Sequence, residues 1–516
     1  MKERRKNSKY DSYELKEAEN RERRKREREQ LSRKERRSAK KEDKRLEKKK
    51  RARNKEFARV TYVFVALFLV MMGYIGYFTV VKSKDIISSP YNPRLDSMAD
   101  RVVRGKILDK SGNVLAETDT ADDGSEYRYY PYGEIFAHVV GYSSQGKSGL
   151  ESTQNFNLLT SDAFILEKLV KEFQDQKNIG DNVVTTLDVD LQSAAYNALG
   201  DNKGAVVIME PSTGKVLAMV SKPSFDPNSV AANWDALNSD ENSVLLNRAT
   251  QGLYAPGSTF KIVTTLEYMR EHPDDYNSYS YNCTGSITYG DTTIPCANHA
   301  VHGAEDLAAS FANSCNSSFC NIGMSLDVKK YQKTAEDLLI GSKLPGDFAT
   351  GKSEFQLTEN DSTAEKMMTA MGQGKTQVSP YQMALITSAI ANGGTLMRPY
   401  LVDSVTNYTG TIISETTPEK YKDLMTSAEA SQLKTYMEGV VSYGTGSVLS
   451  GQSYSVAGKT GTAEYSMDSS SQNHSWFVGF SNVDNPELVV SVIVEQSDGN
   501  TKAVNVAKSI FDSYYY

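Results

Sequence analysis

A serine and a lysine three positions apart, Ser258 and Lys261, form a pair whose types and spacing could support nucleophilic catalysis. They follow Pro256-Gly257 and precede an apolar-periodic stretch, which predicts that both side chains lie on one face at the start of a helix. A serine hydroxyl is a weak nucleophile unless a base accepts its proton, and a lysine with a pKa lowered by burial can be that base. The helix N-terminus favours negative charge beside the serine. A capping serine followed by a surface lysine would have the same spacing, so the pair alone decides little.

Two further short motifs follow downstream. Ser314-Cys315-Asn316 offers a second hydroxyl for proton transfer and an amide that could bind a peptide group, although a capping turn has the same composition. Lys459-Thr460-Gly461-Thr462 is predicted to be a strand in which Thr460 and Thr462 project together beside the ammonium of Lys459. The glycine, Gly461, would let a ligand backbone approach closely. This combination suits recognition of a terminal carboxylate, and a turn at a sheet edge is the alternative.

The elements that must position these motifs are strands at both ends of one domain with helices between them. The segments GAVVIME and KVLAMV, within 204–220, are predicted to form a hairpin, and SWFVGF and LVVSVIVEQ near the C-terminus are strand-like. The intervening stretches have helical spacing of apolar residues. The pattern predicts an α+β fold with one sheet assembled from both ends of the domain and helices packed on it. Upstream, a hairpin turn is predicted at 111–113 and a helix within 162–174.

Charge divides the chain into two parts. Residues 1–56 carry 26 Lys and Arg against 13 Asp and Glu, whereas the remainder carries 33 against 52. Val60 to Val81 contains no charged residue and, at about 1.5 Å per residue, can cross a hydrocarbon core about 30 Å thick. The segment lies too far from the N-terminus for a cleaved signal peptide, so we expect an uncleaved single-pass anchor. The excess of Lys and Arg predicts a cytoplasmic N-terminus and an extracytoplasmic remainder.

Four regions are therefore predicted: a basic cytoplasmic tail at 1–56, a transmembrane signal anchor at 57–82, a small mixed pedestal at 83–180 and a catalytic domain at 181–516. We interpret the tail as a disordered or fraying helical segment that fixes the topology. Contact with anionic lipid headgroups is an alternative. We do not expect nucleic acid as a partner.

Together, in the order SxxK, SxN, KTG within one domain, the motifs are the set shared by penicillin-recognising serine acyl enzymes. The chain resembles the class B penicillin-binding proteins, the monofunctional peptidoglycan D,D-transpeptidases, over nearly everything after residue 57. Further matching segments lie at 104–109, 149–151, 222–227, 247–249, 372–374, 391–394 and 476–480. The resemblance implies a transpeptidase domain with an antiparallel sheet, helices on its faces and an all-helical subregion. The pedestal is short for the family, and the segment after 149–151 lacks the expected glycine-rich continuation.

The resemblance also implies a role for each motif. Ser258 would attack the penultimate D-Ala carbonyl of a stem peptide, with Lys261 as general base. Ser314 and Lys459 would carry protons to the leaving group, and Asn316 would hold the donor peptide. Thr460, Gly461 and Thr462 would bind substrate, with the backbone N–H groups of Ser258 and Thr462 as oxyanion hole. The family implies no cofactor, β-lactams as inhibitors and a SEDS-type glycosyltransferase as membrane partner, with a possible carboxypeptidase side activity.

Three other functions share parts of this pattern. A β-lactamase has the same motifs but normally lacks a long basic tail and pedestal, and it needs a base that activates water. A membrane-bound β-lactam sensor normally has several transmembrane segments, and a catalytically silent scaffold would not need the serine–lysine pair. The motifs do not distinguish roles in elongation, division or sporulation.

Four cysteines, Cys283, Cys296, Cys315 and Cys320, follow the anchor. Cys283 and Cys296 flank a hairpin-like segment with a turn near 289–291, so we expect a disulfide between them. Free thiols are an alternative. A zinc site made by Cys283, Cys296, His299 and His302 is a second alternative, but we assign no metal site. Cys315 and Cys320 are expected to be small buried apolar residues.

Overall fold

A computed structural model of the chain describes residues 2–29, 32–82, 99–464, 473–497 and 501–516. The chain divides into two compact units, Met1–Ile87 and Ser88–Tyr516. The predicted pedestal begins at residue 83, so its first residues, 83–98, lie outside the described part.

The first unit is helical. Helices span Lys2–Glu29 and Arg33–Tyr77, and a π-helical turn continues the second helix over Phe78–Lys82. Within the described residues, one helix, Arg33–Val80, is long and apolar enough to cross a membrane. The predicted anchor lies in this helix, which already begins inside the basic tail. The described part of the tail is helical, which is one of the two forms expected for it.

The second unit is organised around a five-stranded antiparallel sheet built from both ends of the predicted catalytic domain, as the sequence pattern indicates. Both faces of its inner strands are apolar. Val206 and Ile208 pack into the hydrophobic cluster on one face of the sheet, and Val207 and Met209 pack into the cluster on the other face. Both faces are covered by helices, which explains the near-continuous apolar runs. The strands lie in the order Val456–Glu464, Asn473–Ser481, Leu488–Ser497, Gly204–Met209 and Val216–Lys222.

Two groups of helices cover the central sheet. Val189–Leu199 and Ala503–Tyr515 pack on one face through residues such as Leu191 and Ile510. The other face carries the helical subregion, whose members are Lys261–Glu271, Leu307–Ala312, Asn316–Ser325, Val328–Asp337, Thr363–Ala370, Pro380–Ala391 and Ser427–Ser442. The remaining helices of this unit are Ala137–Val140, Gly149–Thr153, Asn155–Leu159, Ile165–Phe173 and Val230–Asn238.

The pedestal and the catalytic region share a second sheet. Its six strands lie in the order Ile412–Glu415, Val402–Thr406, Asn182–Thr185, Ile107–Leu108, Val114–Thr120 and Glu126–Tyr129. The hairpin predicted at 111–113 joins two of them, and the predicted helix within 162–174 is present as Ile165–Phe173. Strands after residue 400 complete this sheet. The predicted limit between residues 180 and 181 therefore lies within one compact unit and does not separate two units.

Four two-stranded sheets complete the unit. They pair Val102–Val103 with Asn178–Ile179, Ser280–Cys283 with Gly303–Asp306, Ser286–Tyr289 with Thr292–Pro295, and Thr395–Met397 with Lys420–Asp423. The second and third of these pairs lie in the segment that leads to the Ser-Cys-Asn motif.

A buried ion triad lies in the pedestal. The Glu151 carboxylate, 0% exposed, accepts hydrogen bonds from Arg104 Nε at 2.6 Å and Arg128 Nε at 2.7 Å. Burial alone would raise the pKa of Glu151, but the charges of Arg104 and then Arg128 hold that pKa below its ordinary value. Arg104 and Glu151 belong to two of the segments that carry the family resemblance. The triad therefore gives one residue of each segment a structural contact.

Candidate active site

Ser258 lies in a tight turn that leads directly into a buried helix. A 3-10 turn, Gly257–Phe260, precedes the helix Lys261–Glu271, so the serine lies one turn ahead of the lysine, as predicted. Gly257 has φ +53°, and a Cβ atom there would lie 2.4 Å from the carbonyl oxygen of Thr462. Only glycine fits this position. The Gly257 N–H donates to the carbonyl oxygen of Gly372 at 2.8 Å, which fixes the turn from its other side.

The Lys-Thr-Gly-Thr motif lies on an edge strand, Val456–Glu464, that packs against the same turn. A Cβ atom on Gly461 would lie 3.0 Å from Thr259 Cγ2 and 3.1 Å from Trp476 Cβ. The glycine therefore permits the close approach of strand and turn. The approach brings the segments with the predicted oxyanion donors, the N–H groups of Ser258 and Thr462, next to each other.

One hydroxyl connects the three motifs. Lys459 Nζ donates to Ser314 Oγ at 2.9 Å, and Lys261 Nζ donates to the same oxygen at 3.2 Å. Lys261 Nζ also donates to the Ser314 carbonyl oxygen at 2.7 Å and to Asn316 Oδ1 at 2.8 Å. The predicted catalytic residues Lys261, Ser314, Asn316 and Lys459 thus form one hydrogen-bonded network.

Both lysines in this network are 0% exposed, and among the described residues neither forms an ion pair with a carboxylate. Burial lowers the pKa of Lys261 to about 8. Burial, and then the nearby charge of Lys261, lower the pKa of Lys459 well below its ordinary value. Two buried ammonium groups beside one hydroxyl disfavour each other, so a neutral amine is accessible near neutral pH.

The conformation of Ser314 is unusual for its type. Its φ of +56° lies in the left-handed region, which costs a non-glycine residue on the order of 1 kcal/mol. The turn presents both the hydroxyl and the carbonyl oxygen of Ser314 to Lys261. Asn316 is engaged on both sides, because its Nδ2 donates to the Pro295 carbonyl oxygen at 3.3 Å.

The structure differs from the expected geometry at the nucleophile itself. Among the described residues, the hydroxyl of Ser258 has no hydrogen-bond partner, and the bonds of Lys261 Nζ run to Ser314 and Asn316. Contacts between nucleophile and base often tighten only when substrate binds. The helical spacing places Lys261 one turn after Ser258, but the two side chains do not form a hydrogen bond with each other in this structure.

Sequence reasoning missed two contacts of the strand Val456–Glu464. Thr460 Oγ1 lies 2.5 Å from Thr445 Oγ1, and Gln373 Nε2 donates to the Thr462 carbonyl oxygen at 3.5 Å. Gln373 belongs to the segment 372–374, which resembles the family, so the sequence did point to this residue. Thr445 lies in a loop without any motif, and no local pattern indicates its role.

The cysteines cluster beside the second motif. Cys283 Sγ lies 3.6 Å from Cys296 Sγ, a separation too long for a disulfide bond of about 2.05 Å, and all four cysteines are free thiols in this structure. The hairpin that brings the first two together is present as predicted. Cys315 also joins them, with its Sγ 3.7 Å from that of Cys296. Cys320 is buried elsewhere, with its Sγ against the Met367 carbonyl oxygen at 3.5 Å.

Comparison with known proteins identifies the family. A model of the penicillin binding protein transpeptidase domain matches residues 204–515, and a model of the penicillin binding protein A dimerisation domain matches residues 104–183. The chain belongs to the class B penicillin-binding proteins. The resemblance inferred from the motifs is thereby confirmed, as is the α+β transpeptidase fold.

Relatives of this penicillin-binding protein agree in name and structure. It is 31% identical to the peptidoglycan D,D-transpeptidase PbpA of Mycolicibacterium smegmatis over 484 residues, which cover 88% of this chain and 96% of that protein. Penicillin-binding protein A from M. tuberculosis, solved as an imipenem acyl-enzyme complex, superposes with TM-score 0.74 at 28% identity, covering 82% of this chain and 100% of that one. A D,D-transpeptidase domain of a peptidoglycan glycosyltransferase from Eggerthella lenta superposes with TM-score 0.72 at 32% identity, covering 80% and 98%.

Proposed function

We propose that this penicillin-binding protein is a serine-type peptidoglycan D,D-transpeptidase that cross-links stem peptides through an acyl-enzyme on Ser258 and is acylated by β-lactams. The observation that carries the proposal is the Ser314 hydroxyl, which accepts hydrogen bonds from both Lys261 and Lys459. This contact connects the nucleophile's helix, the second motif and the substrate-binding strand in one proton-transfer network.

Acylation begins with the attack of Ser258 Oγ on the carbonyl carbon of the penultimate D-Ala. The hydroxyl proton passes to a neutral Lys261, whose lowered pKa makes this transfer accessible near neutral pH. The oxyanion of the tetrahedral intermediate accepts hydrogen bonds from the N–H groups of Ser258 and Thr462. Each such donor contributes roughly 2.7–4 kcal/mol in other acyl-transfer enzymes.

Collapse of the intermediate breaks the peptide bond to the terminal D-Ala. The departing amine takes a proton through Ser314 from the two-lysine network, and the ester on Ser258 remains. The amine of a second stem peptide then attacks that ester and forms the cross-link, and its proton returns through the same network. Attack by water instead would give a carboxypeptidase side activity.

Recognition of the donor strand falls to the edge strand and to Asn316. An extended peptide can add to the free edge of Val456–Glu464, where Thr460 and Thr462 offer hydroxyls to a terminal carboxylate. Asn316 already holds Lys261 through its Oδ1 atom. We therefore assign it first the positioning of the base and second the contact with the donor peptide.

The cellular setting rests on the resemblance and on charge. The basic tail lies inside the cell and the catalytic domain outside, because Lys and Arg precede the membrane-spanning helix. Glycan polymerisation comes from a SEDS-type glycosyltransferase partner in the same membrane.

The test is labelling of the full-length protein in detergent with a fluorescent penicillin, followed by the rate at which the label is released. We expect stoichiometric labelling of wild type, slow release, and no labelling of Ser258→Ala. The Ser258 hydroxyl forms no hydrogen bond among the described residues and does not cap the turn, so the variant should keep its fold. The matched control Ser450→Ala, exposed and outside the three motifs, should label like wild type.

Other outcomes would favour the alternatives. Rapid release of the label would indicate a β-lactamase, and no labelling of wild type would indicate a silent scaffold. Slow release without cross-linking of stem peptides would indicate a β-lactam sensor. Labelling of Ser258→Ala at the wild-type rate would contradict the assignment of the nucleophile.

A further inference from the structure

Three cysteines and a histidine converge immediately before and within the second motif. The strand Ser280–Cys283 pairs with Gly303–Asp306 in a register that puts Cys283 opposite Gly303, and so places Cys283 beside His302. The hairpin formed by Ser286–Tyr289 and Thr292–Pro295 returns the chain to bring Cys296 to the same point. Cys315 enters from the start of the helix Asn316–Ser325. Four separate segments thus supply one side chain each.

The separations among these side chains fit one tetrahedral ion. Cys283 Sγ lies 3.6 Å from Cys296 Sγ and 3.4 Å from His302 Nδ1, and Cys296 Sγ lies 3.7 Å from Cys315 Sγ. All four ligand atoms lie within 4.8 Å of one another. Bonds of about 2.3 Å to sulfur and about 2.0 Å to nitrogen at tetrahedral angles predict about 3.8 Å between sulfurs and about 3.5 Å between sulfur and nitrogen.

Backbone N–H groups are directed at all three sulfurs. Gly285 N donates to Cys283 Sγ at 3.4 Å and Ser317 N to Cys296 Sγ at 3.5 Å. Ser318 N donates to Cys315 Sγ at 3.4 Å. Donors of this kind stabilise sulfur in its anionic, metal-binding form and orient it, as the outer groups of metal sites do.

We propose that Cys283, Cys296, Cys315 and His302 bind one structural zinc ion. Three sulfurs and one imidazole make a closed four-ligand shell, which is the composition of structural zinc sites and is not suited to calcium or magnesium. The three cysteines are at most 2% exposed and His302 is half-buried, so three of the four ligands are closed to solvent. This site differs in one ligand from the zinc site considered from the sequence. His299 is exposed and lies outside the cluster, and Cys315 is the fourth ligand instead.

A disulfide explains less of this arrangement. Cys296 is almost equally distant from Cys283 and Cys315, so the geometry favours neither pair over the other. Either bond would use two of the four converging groups and leave the remaining sulfur and the imidazole without a role. The zinc ion uses all four.

The position of the site gives it a consequence for catalysis. Cys315 lies between Ser314 and Asn316, the two residues that hold Lys261. A zinc ion on Cys315 ties the second motif to the hairpin and to the strand pair that precede it. It acts as a positioning element and does not contact the reacting atoms.

The test is the zinc content of the full-length protein, purified in detergent without chelators and measured by inductively coupled plasma mass spectrometry. We expect about one zinc ion per chain, falling to less than about a tenth in Cys283→Ser and His302→Ala. Two matched controls, Cys320→Ser and His299→Ala, should keep the full content, because both residues lie outside the cluster. None of these measurements uses penicillin, so the outcome is independent of the proposed function.

A second measurement needs no variant. Replacing the metal with cobalt(II) in wild type should give the intense visible bands of tetrahedral, thiolate-bound cobalt. Absence of these bands would overturn the proposal, as would equal zinc content in Cys283→Ser and Cys320→Ser. So would non-reduced peptides from the freshly purified protein in which any two of the three clustered cysteines are joined by a disulfide.

Discussion

Two buried groups of charge in this protein are built in opposite ways. In the pedestal, the Glu151 carboxylate lies between Arg104, which contacts Oε2, and Arg128, which contacts Oε1. In the active site, Lys261 and Lys459 share a serine hydroxyl, and neither lysine pairs with a carboxylate among the described residues. The two arginine charges hold the pKa of Glu151 below its ordinary value, whereas burial lowers the pKa of both lysines and so favours loss of their charge. We expect the paired charges to matter for stability and the unpaired lysines to matter for proton transfer.

The largest effect is expected for Lys261→Arg, which tests whether the unpaired lysine of the active site acts as the base. Arginine keeps the positive charge but does not lose its proton in proteins, so it cannot accept the proton of Ser258. We expect the rate of acylation by penicillin to fall roughly 10²–10⁴-fold, the range over which general bases contribute. The control Lys330→Arg, at an exposed site, should react normally. Near-normal acylation of Lys261→Arg would mean that another group, Lys459 first, is the base.

The paired charges of the pedestal are tested by Glu151→Gln. It leaves two buried guanidinium groups without their shared carboxylate, and loss of one partner of a buried pair costs roughly 3–5 kcal/mol. We expect a fall of that size in the free energy of unfolding, measured by denaturant titration, with Ser258 still labelled while the protein is folded. The control Glu117→Gln breaks the more exposed pair with Lys106 in the same sheet and should cost at most about 1 kcal/mol. Equal effects of the two variants would contradict the role given to the triad.

The motifs and the central sheet could be predicted from sequence because their signals are local. SxxK, SxN and KTG are short, and the runs at 204–220 and 476–495 alternate or stay apolar over one strand length. The contact between Thr445 and Thr460 could not be predicted, because it joins a loop without a motif to a strand.

The cysteine cluster could also be predicted only in part from the sequence. Spacing brings Cys283 and Cys296 together across a hairpin, and that part of the expectation matches the structure. Cys315 joins the two only through the packing of the helix Asn316–Ser325, which no spacing indicates.

A smaller effect is expected for Thr460→Val. Valine suits a strand as well as threonine does, so the melting temperature should change little. The variant loses the hydroxyl that contacts Thr445 and that we assign to the substrate carboxylate. The loss of one such hydrogen bond, about 0.5–1.5 kcal/mol, corresponds to roughly 2- to 13-fold in the efficiency of acylation. A collapsed melting curve with unchanged acylation of the folded fraction would make Thr460 structural only.

The central claim, that a desolvated lysine is the base, is tested most directly by the pH dependence of acylation. Lys261 must be neutral to accept a proton, and its pKa is lowered to about 8. The second-order rate constant for penicillin should therefore rise about tenfold per pH unit from about pH 6 and level off above about pH 8, since the neutral fraction grows in that way. A rate that stays constant across this range, or that falls as pH rises, would contradict the account.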